Sequence, residues 1–503
     1  MSGTSGEPLD ALCDAAGEVV APMLRLPAEH DETLPEFERL LRDLGCHVLL
    51  FNGGNARSTP RLMANLLRSC PMLRVTCADF EEGPGQRMKG APWGLPMMAL
   101  GAAMRAGLSE GEVEAYAEAL GRASIAHGAN AVFAPVCDLA TARGNPIVGT
   151  RSLGDDPAEV SRSVAALTRG FLRAGALSCA KHFPGHGETL QDSHSELPRV
   201  TTDAGTLRSR ELAPFHAAVE AGVPMTMTAH VLYEGVDRER PATLSDAALG
   251  GLLRGELSFR GACVSDSLRM SGILDGRTSE EAGVGALRAG CDILLDPEDP
   301  AALRESVRKG VREGRIDPVR ISEALARVRA LAARAVPTGL PQKQEDADDL
   351  DRLSERLAAR AITPVGKPWR PPGRDRLSVA VIDDDEDIDL SPLLDTLRVA
   401  GARPALTEGD AADLAVLAGR VAAWKGRAGL SETSARRLER LLASRSDLPL
   451  LVLGSPALLP SLWSGRALVA YGAQAPIQRA VAGAILGDTP APGRLPVRWP
   501  GLA

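Results

Sequence analysis

Eight short apolar runs, separated by helical patterns, constrain the fold of this chain more than any other feature. They are VVAPMLRL (19–26), CHVLLFN (46–52), LRVTCADF (73–80), NAVFAPVCDL (130–139), LSCAKHF (177–183), PMTMTAHVLY (224–233), GACVSDS (261–267) and DILLDP (292–297). Runs that are apolar nearly throughout mark strands buried on both faces, and such a sheet is parallel with helices outside it. The intervening helices announce their starts. Ser109 and Glu112 form a capping-box pattern, with Val113, Tyr116 and Leu120 on one face. Asp156, Pro157 and Glu159 open a second helix, and Leu212, Phe215 and Val219 stripe a third. Eight is the number at which a parallel sheet closes into a (β/α)8 TIM-like barrel. An open doubly wound sheet is the alternative, weakened because no glycine-rich dinucleotide fingerprint follows an early strand.

A chain of 503 residues calls for two or three domains. The pattern changes after residue 335, where AVPTGLPQKQEDADD reads as a linker and LDRLSERLAARA as a helix, followed by the Pro-rich PVGKPWRPPGRDR. From residue 377 the strand-like runs LSVAVID, LAVLAG, LPLLVLGS, ALVAYG and RLPVRWP imply a smaller α/β sandwich domain. The expected division is 1–335 barrel, 336–376 linker with helix, and 377–503 second domain. That domain contains neither histidine nor cysteine, so few side chains suited to chemistry are expected in it.

Composition narrows the class. A charged fraction of 24% with 44% hydrophobic residues suits a globular protein, and a net charge of −8 argues against nucleic acid as a partner. No apolar run is long enough for a membrane span, and the opening residues lack the basic and apolar regions of a signal peptide. The eight cysteines lie mostly in apolar runs without metal-pair spacing, as reduced core residues do. The expected compartment is the cytoplasm.

In a barrel, chemistry gathers where strands end, on the loops that lead into helices. Asp79 closes the third run, Asp138 the fourth, Lys181 and His182 the fifth, His230 the sixth and Asp266 the seventh. Behind the fifth run comes AKHFPGHGETLQDSHSELP (180–198), which concentrates three of the chain's eight histidines. Asp192 and His194 stand two apart, so in extended backbone they point the same way, and the carboxylate can orient the imidazole as a proton shuttle. A metal site built from His182, His186, Glu188, Asp192 and His194 is the rival, disfavoured because Pro184 and Gly185 prevent helical presentation of the first two histidines. Pro184, Gly185 and Gly187 also suggest a loop able to move. Asp266 is placed either to attack an acetal carbon or to cap the following helix.

Together these motifs resemble bacterial β-N-acetylhexosaminidases of glycoside hydrolase family 3, over roughly residues 18 to 335. The resemblance is carried by LLFNGGN, FAPVCDL, NPIVGTRSLGDDP, AKHFPGHGETLQDSHSELP, MTAHVLY, PATLS and FRGACVSDSLRM, with a weaker match in LVLGSP, LVAYGA and GRLPVRWP. It implies that Asp266 is the nucleophile, His194 the general acid/base and Asp192 its partner. It also implies that Asp79, Arg151, Lys181, His182 and His230 surround the sugar, whereas a rim salt bridge to Asp155 is the plain reading of Arg151. The implied reaction is retaining hydrolysis of terminal β-linked N-acetylglucosamine from muropeptides or chito-oligosaccharides, with no metal or organic cofactor, in cell-wall recycling. A β-glucosidase or N-acetylglucosaminide phosphorylase of the same family, and a non-catalytic carbohydrate-binding protein, are the alternatives. One motif departs from the family's pattern: DFEEGPGQR keeps Asp79, Glu81, Gly83, Gln86 and Arg87 but places Pro84 where an arginine is usual.

Overall fold

The computed structural model describes residues 8–191, 196–338, 344–385, 388–409, 412–420, 425–461 and 463–502. All eight apolar runs contain strands: β1 (Val20–Ala21, resuming as Met23–Leu26), β2 (Val48–Gly53), β3 (Val75–Ala78), β4 (Ala131–Val132), β5 (Leu177–Phe183), β6 (Met225–Thr228), β7 (Ala262–Val264) and β8 (Leu294–Leu295). Neighbours pair in parallel from β1 through β7. A bridge from Val264 to Ile293 joins β7 to β8, and Leu294 and Leu295 pair with Val20 and Ala21. The sheet thereby closes on itself as a TIM-like barrel.

The period of two along each strand fills the barrel in layers. Val48 and Leu50, Val75 and Cys77, Leu177 and Cys179, Met225 and Met227, and Ala262 and Val264 form one buried cluster, plugged at one end by Val328, Leu331 and Ala332. Continuing the same parity toward the strand ends reaches Asn52, Asp79, Lys181 and Asp266, which line the cavity above that apolar plug. Outside the barrel, the Ser109–Glu112 capping box is formed and Asp156 accepts from Ala158 and Glu159 backbone N–H, as their positions predict.

The second sheet has six strands: β9 (Thr363–Gly366), β10 (Leu377–Asp383), β11 (Pro404–Thr407), β12 (Leu414–Gly419), β13 (Leu450–Gly454) and β14 (Arg466–Val469). Their order is β9-β14-β13-β12-β10-β11, parallel except for β9, which runs antiparallel to β14. Two expectations are corrected here. β9 lies within the Pro-rich stretch read as a connection, and RLPVRWP is not a strand. That last segment instead crosses to the barrel: Arg105 Nη1 donates to Leu495 O (2.6 Å), Asp155 N to Pro496 O (3.0 Å) and Trp499 Nε1 to Ala140 O (2.8 Å).

Candidate active site

A cavity of about 960 Å³ opens at the strand ends of the barrel. Its barrel wall includes Asp79, Arg151, Lys181, His182 and Asp266, and its opposite wall is supplied by Asp385, Asp389, Arg420, Tyr471 and Gln474 of the second sheet's unit. The region without histidine or cysteine, expected to carry little chemistry, thus closes the site.

Glu81 organises the charged floor. Its carboxylate takes Arg151 in a two-pronged grip, Nε to Oε2 at 2.8 Å and Nη2 to Oε1 at 2.7 Å, and Lys181 Nζ sits 2.6 Å from the same Oε1. Lys181 Nζ also donates to Asp79 Oδ1 at 2.8 Å. Burial pushes the Glu81 carboxyl up, but Arg151 and Lys181 outweigh it and hold it well below the usual carboxylate range. Burial likewise opposes the charge on Lys181 and Arg151, yet Asp79 and Glu81 raise the former and Glu81 raises the latter. The group is charged throughout, with Lys181 and Glu81 almost wholly enclosed. Arg151 does not form a rim bridge to Asp155, which pairs with Arg105 instead.

A second buried carboxylate, Asp138, arranges the imidazoles. It accepts backbone N–H of His182 (3.1 Å) and His186 (2.7 Å) on Oδ1 and faces His182 Nδ1 at 2.7 Å on Oδ2. Nε2 of His182 is then turned toward Arg151 Nη2, 3.4 Å away. Lys181 and His182, joined by a cis peptide bond, both line the cavity. His186 is enclosed against Thr189 Oγ1 at 2.7 Å, and burial lowers its pKa to about 4, so its ring is neutral near pH 7.

Asp266 caps no helix. The helices that follow begin at Ser271 and Ser279, behind Met270 and Thr278, while Asp266 Oδ1 accepts the backbone N–H of Ser267 at 2.8 Å. His230 is not among the residues that line the cavity. It is fully buried behind the cavity wall, with Nδ1 at 2.8 Å from Thr243 Oγ1 and Nε2 at 3.0 Å from Ser267 O. It is out of phase with the inward-facing Met225 and Met227, and it braces the segment that carries Asp266.

Asp192 and His194 lie outside the described residues. The arm leading to them is tightly held: Gly187 packs so closely on Leu139 O that an added Cβ would lie 1.9 Å from it, and Asn145 Nδ2 donates to His186 O at 2.8 Å. The absence of a side chain at Gly187 allows this close packing. Glu188 is engaged by Arg210 and Thr202, and among the described residues no three of His, Cys, Asp and Glu converge on a metal position. Two roles escaped the sequence reading: Glu81, noted only as a residue kept in DFEEGPGQR, organises the floor, and Asp138, noted only as the polar end of the fourth run, arranges the imidazoles. Asp138 stands in FAPVCDL, which carried the resemblance, and Glu81 in DFEEGPGQR, the motif that departs from the family's pattern; an acidic residue at the end of an otherwise buried run is the signal for such a role.

The glycosyl hydrolase family 3 N terminal domain matches residues 62–331. The chain belongs to glycosyl hydrolase family 3. It is 30% identical to β-hexosaminidase A of Pseudoalteromonas piscicida over 72% of this chain and 65% of that one, so it spans slightly less than two thirds of that relative. It is 33% identical to a β-hexosaminidase of Stenotrophomonas maltophilia over 52% of this chain and 79% of that one. Among solved structures, a family 3 β-N-acetylglucosaminidase from Paenibacillus sp. str. FPU-7 superposes with a TM-score of 0.83 at 27% identity, covering 98% of this chain and 99% of that one. A β-glucoside phosphorylase superposes with a TM-score of 0.86 at 18% identity, covering 97% and 96%, a likeness of fold alone.

Proposed function

We propose that the protein is a retaining exo-glycosidase that hydrolyses terminal β-linked N-acetylglucosamine. The carrying observation is the placement of Asp266: a carboxylate on the inward face at the end of β7, capping no helix, in one cavity with Asp79, Arg151, Lys181 and His182. The names of the relatives supply the sugar. In this reading the charged floor binds the hydroxyls, as planar and point-charge donors do beside carboxylate acceptors. Asp266 attacks the anomeric carbon as the bond to the leaving oxygen breaks, and His194, oriented by Asp192, gives that oxygen a proton. Water then attacks the glycosyl ester, His194 takes its proton, and Asp266 is released.

Muropeptides or chito-oligosaccharides in the cytoplasm, and hence cell-wall recycling, are the setting this reading favours. It also takes residues 1–335 as the catalytic unit and the second sheet's unit, which begins with β9 at Thr363, as the opposite wall of the cavity. The test is to assay chromogenic β-N-acetylglucosaminide beside β-glucoside, with and without phosphate. The expected result is preference for the former and free N-acetylglucosamine as product. Preference for the glucoside, or accumulation of sugar 1-phosphate, overturns it.

A further inference from the structure

The turn behind β8 sets a carboxylate beside the segment that carries Asp266. Ile293 and Leu295 face the barrel interior, so strand alternation alone would send residue 296 outward. At Asp296 the backbone instead adopts φ +49°, in the left-handed region that aspartate tolerates better than most side chains, and the residue joins the cavity wall. Its N–H donates to Ala21 O at 2.8 Å, which ties it to β1. Its Oδ2 receives two donors, Arg25 Nη2 from β1 and Ser267 Oγ, each at 2.8 Å. Ser267 is the residue whose backbone N–H binds Asp266 Oδ1 at 2.8 Å. The chain on either side is laced to β8: Ser265 N donates to Ile293 O at 2.9 Å, Leu295 N to Ser265 Oγ at 3.0 Å and Leu268 N to Leu295 O at 2.9 Å. Ser267 itself is gripped through its carbonyl by His230 Nε2 at 3.0 Å and through its hydroxyl by Asp296.

We propose that Asp296 is a positioning residue for the nucleophile: by accepting the Ser267 hydroxyl it fixes the N–H that orients the Asp266 carboxylate. This rests on the reading of Asp266 as the nucleophile. The terminal torsion of a free aspartate side chain is broad, whereas attack on an anomeric carbon needs one oxygen held in line. A directed hydrogen bond to Oδ1 supplies that restraint, provided the donor does not drift. Asp296 prevents the drift from the neighbouring strand end, and its own departure from strand geometry is what brings its carboxylate to Ser267. Arg25 strengthens the acceptor as an ion-pair partner. Its side chain is 54% exposed, so the pairing does not enclose a second charge, and a variant lacking the Asp296 carboxylate leaves the guanidinium facing water. Such a variant is expected to fold.

The test compares Asp296→Gly, Asp296→Asn, Ser267→Ala and the double variant Asp296→Gly/Ser267→Ala with wild type. Glycine removes the carboxylate and accepts the positive φ without strain, whereas asparagine keeps an acceptor and tolerates the same conformation. Single-turnover release of dinitrophenolate from 2,4-dinitrophenyl β-N-acetylglucosaminide separates the rate of glycosyl transfer to the enzyme from substrate binding. A displacement of about 1 Å at a catalytic group costs on the order of 100-fold, so the transfer rate of Asp296→Gly is expected to fall by about that factor. Its substrate Kd is expected to change less than about threefold, because the residue does not hold the sugar. Asp296→Asn is expected to stay within about tenfold of the wild-type rate, since Ser267 keeps a partner. Residues that act through one hydrogen bond are not additive, so the double variant is expected to fall no more than about twofold below the slower single variant. Multiplying losses, a loss carried by Kd, or an unimpaired Asp296→Gly overturns the proposal. Asp266→Ala separates the two claims. If it transfers glycosyl at the wild-type rate, the nucleophile reading fails; if it is inactive while Asp296→Gly is unimpaired, only the role of Asp296 falls. Should Asp296→Gly be insoluble, the transfer rate of Ser267→Ala, which deletes the same hydrogen bond, decides.

Discussion

Replacing Glu81 by alanine is the sharpest perturbation of the charged floor. The substitution removes a carboxylate that is 1% exposed and leaves Lys181, also 1% exposed, and Arg151 without their common partner. Breaking a buried ion pair by deleting one member costs about 3–5 kcal/mol, because the remaining charge stays desolvated. Lys181 retains Asp79 at 2.8 Å, which places the cost nearer the lower end. For a unit of roughly 330 residues the unfolding entropy is about 0.7 kcal/mol/K, so the expected fall in Tm is about 4–7 °C. The pH dependence has a definite sign. The folded carboxyl titrates below its unfolded value of 4.5, so its stabilisation is whole above that value and is lost as pH falls through the folded value. Differential scanning calorimetry of wild type and Glu81→Ala should therefore show a gap near pH 6 that narrows as pH falls below about 4.5. A gap below about 1 °C near pH 6, or one that widens in acid, refutes the reasoning.

Further outcomes follow from the same geometry. Gly187→Ala drives a Cβ toward Leu139 O, at 1.9 Å, so the arm must shift and kcat/KM on a disaccharide should fall at least about tenfold in steady-state assays. Glu82, raised to about 7 by burial and then by Glu81, is a buried carboxyl that favours its neutral form, and its cost to stability appears as pH rises from 4.5 through 7. Glu82→Gln should thus melt higher than wild type near pH 8 and level with it near pH 4.5, by thermal scans at both values. The His186 ring should stay neutral down to about pH 5 when followed by NMR, since burial holds its pKa near 4.

How much of this was legible depended on whether strand geometry or long-range packing placed a residue. Asp79, Lys181 and Asp266 follow from parity: each stands two residues beyond an inward-facing apolar neighbour, Cys77, Cys179 and Val264. His230 obeys the same rule, because it is out of phase with inward-facing Met225 and Met227 and its ring lies against Ser267 O. Arg151 and Glu81 come from two loops and meet only in three dimensions, so no spacing rule joins them. RLPVRWP alternates like a strand, yet its buried Val497 and Trp499 record docking onto the barrel rather than pairing in a sheet. β9 was hidden by Pro364 and its neighbours, which an edge strand tolerates.

The retaining reaction requires a covalent bond between Asp266 and the anomeric carbon of the sugar. Incubation with a 5-fluoro-N-acetylglucosaminyl fluoride slows release of the glycosyl ester more than its formation, and proteolysis followed by mass spectrometry locates the label. The expected result is one equivalent of glycosyl mass on the peptide that contains Asp266, lost on prolonged incubation as activity returns. Label on another carboxylate, or complete turnover of natural substrate by Asp266→Ala, contradicts it.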